Sequence, residues 1–249
     1  SESFYETDGE RINHTLNYSF DGSKIKTRTE FEYRTTDDTL DKSTVYRGVN
    51  PQTGEITWKI KDPNDASKEI DYKGGVVRSV TEYDESGELA LITLNKSFDG
   101  SRTKSTTLFS YRRADDTLKE SITFRSVVAK PLTPYTNIED VPGTRQSVSL
   151  YKEDGEKIDR TLNYSFYGVL RSTTTYKYRD DDTLELTRTY KGDHTASVID
   201  PKTATVSGQK LSESFYETDG ERINHTLNYV FSGTRIKTRT EFGYRTATD

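Results

Sequence analysis

Between Glu10 and Phe20 the side chains alternate. Ile12, His14, Leu16, Tyr18 and Phe20 fall on one parity, and Arg11, Asn13, Thr15, Asn17 and Ser19 on the other. A period of two is the signature of a β-strand, whose successive side chains point to opposite sides. After Asp21-Gly22 the alternation resumes, with Ile25, Thr27, Thr29, Phe31 and Tyr33 set against Lys26, Arg28, Glu30, Glu32 and Arg34. The pattern predicts two long antiparallel strands that share a single apolar face. Asp-Gly supplies the positive φ angles of a two-residue type I′ turn between them. A short strand ending before Gly9 and a fourth from Thr39-Leu40 to Tyr46 complete a four-stranded meander over residues 1–48. No segment shows the 3.6-residue apolar period of a helix.

The unit recurs. Residues 1–38 reappear as 212–249 with seven differences, a period of 211. Aligning the tyrosine before the first turn (Tyr5, Tyr83, Tyr151, Tyr216) reveals two more divergent copies. Each copy has a glycine four residues later (Gly9, Gly87, Gly155, Gly220) and a Thr-Leu-Asn beginning ten residues later (Thr15, Thr93, Thr161, Thr226). A second glycine turn follows at Gly22, Gly100, Gly168 and Gly233, then a Thr-rich strand ending in Tyr-Arg, then Asp-Asp-Thr-Leu in the first three copies. The predicted organisation is unit 1 over 1–48, a connector with its own small hairpin over 49–75, and unit 2 over 76–127. A Pro-rich connector over 128–146, unit 3 over 147–192, a third connector over 193–211 and the first half of unit 4 over 212–249 complete it. The third connector repeats a trace of the first in Asp200-Pro201-Lys202-Thr203.

The expected fold is therefore all-β: antiparallel hairpin meanders forming an extended twisted sheet or solenoid-like array. Propeller-like blades are the alternative, although three and a half units fall short of a usual ring. With near-identity 211 residues apart and divergence between neighbours, the higher-order period is a three-unit block.

Tyr83-Asp84-Glu85-Ser86-Gly87-Glu88-Leu89 resembles the YD motif of Rhs-type β-hairpin repeats of secreted bacterial proteins, Tyr-Asp-x-x-Gly-Arg-Leu. Glu88 replaces the usual Arg, and the other copies lose the Tyr-Asp pair. The resemblance covers about seven residues per unit. It implies a secreted scaffold of stacked hairpins and carries over no catalytic residues.

Composition narrows the partners. Only 30% of residues are hydrophobic and 31% are charged, so the core is thin, with its apolar area concentrated in seventeen Tyr and ten Phe. Forty-one acidic and thirty-six basic residues are interspersed, which gives no nucleic-acid footprint. No apolar run approaches a membrane span, and Ser1-Glu2-Ser3 does not read as a leader. The absence of Met suggests a mature or excised segment. The absence of Cys excludes disulfides and thiolate metal sites.

Candidate chemistry is sparse. His14 and His225 occupy one repeat position on the apolar parity, which copies two and three do not fill with His, so packing explains them better than catalysis; His194 falls in a connector. The acidic turns Asp37-Asp38, Asp115-Asp116 and Asp180-Asp181-Asp182 offer clustered oxygens to Ca²⁺, while Asp also suits tight turns by bonding its own backbone. Asn17, Asn95 and Asn163 lie in Asn-x-Ser sequons but mid-strand, where hydrogen bonding to a cross-strand Thr is expected. The tyrosines and Trp58 are candidates for stacking on sugars, or for core packing.

With no catalytic, cofactor-binding or metal-binding set assignable, the expectation is a non-enzymatic structural or adhesive repeat segment of an extracellular surface or filament protein. It would associate head-to-tail with copies of itself or with adjacent repeat blocks. A carbohydrate-binding, lectin-like protein recognising surface glycans is the alternative.

Overall fold

The computed structural model describes residues 1–19, 21–62, 65–192, 209–230 and 232–244. Phe20, His194, the Asp200–Thr203 trace and the Asp249 end of the fourth copy lie outside the described residues. Among the described residues there are seventeen strands, and none is helical. They are β1 (Glu2–Tyr5), β2 (Ile12–Tyr18), β3 (Ile25–Tyr33), β4 (Leu40–Arg47), β5 (Thr57–Asp62), β6 (Asp65–Lys73), β7 (Val76–Tyr83), β8 (Ala90–Lys96) and β9 (Thr103–Tyr111). There follow β10 (Leu118–Phe124), β11 (Arg145–Tyr151), β12 (Ile158–Tyr164), β13 (Leu170–Tyr178), β14 (Leu184–Lys191), β15 (Lys210–Tyr216), β16 (Ile223–Tyr229) and β17 (Ile236–Glu241). Fifteen of them hydrogen-bond in chain order as one open antiparallel meander, in which β1 and β17 have a single neighbour each; β5 and β6 form the small hairpin of the first connector. The chain divides into two compact units, Ser1–Ser110 with Phe124–Gly143, and Tyr111–Thr123 with Thr144–Asp249.

The turns differ from expectation, and the difference reaches the faces of the sheet. In the second copy Gly100 N–H donates to Ser97 O at 2.9 Å and Ser97 N–H to Arg102 O at 2.8 Å. Only Gly100 has positive φ (73°), and Asp99 does not. This is a four-residue loop, a type I turn followed by a left-handed glycine, rather than the type I′ turn predicted from Asp-Gly. In the first copy the loop keeps the register of a two-residue turn, with Ser19 N–H donating to Lys24 O and Tyr18 facing Ile25; the slip comes next, at a bulge between Asn17 and Tyr18 that skips Lys26. Beyond the bulge Asn17 faces Thr27, Leu16 faces Arg28 and His14 faces Glu30, whereas unbroken pairing would have set Leu16 against Thr27. A one-residue slip exchanges the two sides of a strand.

The expected single apolar face is thereby overturned. Leu16 shares its side with Arg28, Glu30 and Tyr46, while Thr27, Thr29 and Phe31 lie on the side of Asn17, Thr15 and Ser43. The Thr15 side is zipped by hydroxyls, at the same place in all four copies. Ser3–Thr15 (3.1 Å), Thr81–Thr93 (2.8 Å), Ser149–Thr161 (3.1 Å) and Ser214–Thr226 (3.0 Å) all join the first and second strands of their unit. The sequon asparagine also points here: Asn17 Nδ2 donates to Thr27 Oγ1 at 3.3 Å, and the equivalent Asn228 to Thr238 at 3.1 Å.

The Leu16 side is covered by the connectors, which sequence patterning left without a role. Val49, from the first connector, is buried with Leu16 and Ile25, and Tyr18, Tyr46 and Ile56 pack around them. Burial of each such aliphatic side chain contributes about 1.5–3 kcal/mol. Gly54 approaches so closely that a Cβ there would lie 2.6 Å from Leu16 Cδ2. In the second connector Ile138 is fully buried, and Ser110 Oγ donates to Thr136 O at 3.1 Å, tying the segment to β9.

Glycine matters most where one repeat meets the next. A Cβ on Gly87 would lie 2.5 Å from Leu40 N, on Gly155 2.6 Å from Leu118 N, and on Gly220 2.6 Å from Leu184 N, all at positive φ. Gly9 has the same conformation and nothing within 4 Å. Alanine at Gly9 should therefore cost only the left-handed conformation, about 1–2 kcal/mol. Alanine at Gly87, Gly155 or Gly220 adds a clash with rigid backbone and should lower the urea midpoint clearly further. Equal midpoints for the four variants would refute this junction.

Candidate functional site

The most elaborately built feature is the seam between successive copies, assembled from the Tyr-Arg and Asp-Asp-Thr-Leu residues. Tyr33 ends β3, and its hydroxyl donates to Ile12 O at 3.1 Å; Tyr178 and Tyr244 repeat this with Ile158 O and Ile223 O. A cation from the first turn lies over each ring: Arg11 on Tyr33, Lys152 on Tyr178, Arg222 on Tyr244. The chain then reverses through Asp38, Asp116 and Asp182, which hold φ of 60°, 57° and 67°. Aspartate tolerates this left-handed region better than most residues. The preceding aspartate locks the turn: Asp37 Oδ1 accepts from Thr39 N at 3.2 Å and from Thr39 Oγ1 at 2.8 Å, and Asp115 and Asp181 do the same for Thr117 and Thr183.

Within that turn the arginine bridges two copies. Arg112 donates to Thr117 Oγ1 (3.2 Å), Leu118 O (2.9 Å) and, in the next hairpin, Tyr151 O (2.9 Å). Arg179 repeats the set with Thr183 Oγ1 (3.1 Å), Leu184 O (2.8 Å) and Tyr216 O (2.8 Å), although its turn is one residue shorter. Arg34 reaches Thr39 Oγ1, Leu40 O, Tyr83 O and Glu85 O. A planar guanidinium presents its donors in a fixed fork, which suits several carbonyls at once.

The seam at β14–β15 adds a buried ion pair. Glu213, 5% exposed, takes Arg188 Nε at 2.7 Å, Lys210 Nζ at 3.1 Å and the Tyr229 hydroxyl. Burial pushes its carboxyl up, but the hydrogen bonds from Tyr229, Arg188 and Lys210 outweigh it and hold the group below its ordinary value. Burial, with the bond to Glu213, pushes Tyr229 up to about 12.

The residues singled out from sequence separate clearly here. His14 stacks on Phe4 (4.6 Å, 7°) and His225 on Phe215 (4.5 Å, 10°), so both sit in aromatic pairs. The acidic turns spend their oxygens on protein donors: Arg11 reaches Asp38 at 2.6 Å and Lys157 reaches Asp182 at 2.7 Å. Among the described residues no group of three or more His, Cys, Asp or Glu side chains converges as a metal set. Trp58 packs over Gly74, where a Cβ would lie 2.2 Å from its ring. In the YD-like segment Asp84 Oδ1 accepts from Leu89 N and Ser86 Oγ, making it a hairpin turn.

Sequence reasoning missed the turn tips. Phe98 and Phe166 are 86% and 74% exposed, with Arg47 lying over Phe98 at 4.7 Å. The signal was present: phenylalanine stands fifteen residues after the leading tyrosine in every copy (Phe20, Phe98, Phe166, Phe231), with Phe20 and Phe231 outside the described residues. Strand parity had assigned it to the apolar face instead.

No family model matches the chain, and no curated protein matches it. Among solved structures it is similar to a TcdB2-TccC3-Cdc42 complex at 12% identity and a TM-score of 0.30, over 93% of this chain and 13% of that one. It is also similar to a porin-like protein from Bacteroides uniformis, at 13% identity and a TM-score of 0.34, over 91% and 87%. A third likeness is to S. aureus TarM, at 10% identity and a TM-score of 0.25, over 55% and 20%. The chain thus spans about a fifth or less of the TarM and TcdB2-TccC3 chains.

The seam and its turns can be tested separately. Replacing Arg179 by Ala should cost about 1.5–3 kcal/mol, the scale for hydrogen bonds to a charged group, and Lys should not restore it because an ammonium lacks the fork. Calorimetry of R179A and R179K checks this, and full rescue by Lys would refute it. The turn carboxylates set an acid limit. Asp99 is held at about 2, chiefly by the Ser97 hydroxyl, and backbone N–H groups of Lys157 and Arg222 hold Asp154 and Asp219 at about 2. Carboxylates depressed below their unfolded value of about 3.9 stabilise the fold above it, and that contribution disappears as pH falls through about 2. Carboxyl NMR should give midpoints near 2 for these three; ordinary midpoints would refute the turn geometry.

Proposed function

We propose that this segment is a structural or adhesive repeat region of an extracellular surface or filament protein, whose work is to span distance and to associate head-to-tail with copies of itself or with adjacent blocks. The observation that carries this reading is the repeated arginine seam. Arg34, Arg112 and Arg179 each join one copy to the main chain of the next, so the most regularly repeated chemistry of the chain serves continuity between units. The contacts of Gly87, Gly155 and Gly220 with the preceding copy repeat at the same joints and serve the same end. The weak resemblance of the Tyr83–Leu89 turn to YD repeats fits a secreted scaffold of hairpins.

A carbohydrate-binding role is the second reading. The exposed aromatic tips at Phe98 and Phe166 favour it, since rings presented at the same turn of two successive units suit stacking on successive sugars. Electron microscopy of the concentrated segment should show filaments whose axial repeat is one block. A segment that remains strictly monomeric on concentration would overturn the first reading. Glycan-array binding abolished by Phe98→Ala would replace it with the second.

A further inference from the structure

At the second glycine turn of each copy the sheet pairing skips one residue, and that residue is always a cation: Lys26, Lys104, Arg171 and Lys237. A bulge re-aims the side chain that it sets out of the ladder, and all four are exposed. The two ends of the hairpins treat their charges differently. At the first turns Arg11 meets Asp8 and Asp38, Lys157 meets Asp154 and Asp182, and Arg222 meets Asp219. At the bulge end no ion pair among the described residues engages Lys26, Arg47, Arg102, Lys104 or Arg171.

The second copy shows what these cations surround. Its turn has strands on both sides, with β7 beyond β8 and β10 beyond β9. Phe98 stands at the tip, almost wholly exposed. Arg47, from the end of β4, lies over the ring at 4.7 Å and is fixed there by donating from Nη2 to Ser97 O at 2.6 Å. Arg102 closes the same turn, its carbonyl accepting from Ser97 N–H at 2.8 Å, and Lys104 follows at the bulge. Asp99, the one carboxylate of the turn, spends its oxygens on its own loop: Oδ1 accepts from Ser97 Oγ and Ser101 N, and Oδ2 from Ser101 Oγ. An open aromatic face therefore lies beside three cations, all within one compact unit of the chain.

We infer that this turn is a binding site for an acidic sugar, the apolar C–H face of a hexuronate stacking on Phe98 while its carboxylate meets Arg102 and Lys104. The inference rests on the carbohydrate-binding reading above and narrows it to chains of uronic acids. A membrane surface fits less well: Asp99, held at about 2, stays ionised beside Phe98 and would have to enter the bilayer with it. Single-stranded nucleic acid uses runs of rings for successive bases, whereas the stretch Ser97–Arg102 carries one.

Calorimetric titration of the segment with polygalacturonate tests this. Affinity should fall as salt is raised, because exposed charges are screened. R102Q/K104Q should bind about tenfold more weakly, the scale of two exposed charge pairs. Phe98→Ala should weaken binding as well. K59Q/K61Q, which removes the same charge from the exposed β5–β6 hairpin, should bind like wild type. Methyl-esterified galacturonan, with the same rings and no charge, should fail to bind. Undiminished binding by R102Q/K104Q would overturn the site. Ester bound as tightly as the acid, and lost in Phe98→Ala, would overturn the acidic class while keeping the carbohydrate reading. Binding of neither polymer would overturn both. A thymidine oligonucleotide bound at least as tightly as polygalacturonate would overturn the sugar in favour of nucleic acid.

Discussion

A glycine held at positive φ closes each of the two leading turns in every copy, and the rest of the architecture depends on that single backbone conformation. Just beyond each such turn a bulge sets one residue of the second strand out of the pairing, Lys26 in the first copy. That bulge decides which side chains face each other across the strands. From that register come the hydroxyl zips on the Thr15 side and the mixture of Leu16, Arg28 and Tyr46 on the other. A mixed side does not need a full second layer. Short connectors covering its few aliphatic positions suffice, which is how a chain of 30% hydrophobic content forms ordered strands.

The second constraint acts between units. Arg112 and Arg179 combine three acceptors, of which two are main-chain carbonyls, and so bond a neighbouring hairpin largely without regard to its side chains. The aspartate turn that positions the arginine is satisfied locally by a threonine, and its charges are met by Arg11 or Lys157 of the same unit. The seam is therefore self-sufficient within each repeat, and the Glu213 ion pair is an addition specific to one of them.

Strand existence and order were legible from sequence because period-two alternation and the glycine spacing are local properties of the backbone. The facing of side chains was not legible, because nothing in the alternation marks the bulge between Asn17 and Tyr18, and one residue of register separates a shared face from opposed faces. Arg34, Arg112 and Arg179 also escaped notice: a solvated-looking Tyr-Arg at a strand end shows its role only when the carbonyl of a strand thirty-seven to forty-nine residues away is brought beside it. His14 and the acidic turns were better placed, since ring stacking and turn capping both act over short distances.

The shorter third turn, Arg179 to Thr183 against Arg112 to Thr117, reaches an equivalent set of acceptors. A joint that tolerates a change in its own length and reads mostly backbone places little restriction on how its neighbours drift. Insertion, loss or recombination of whole copies would leave every remaining joint chemically complete, so the length of such an array can change without any new contact having to be invented.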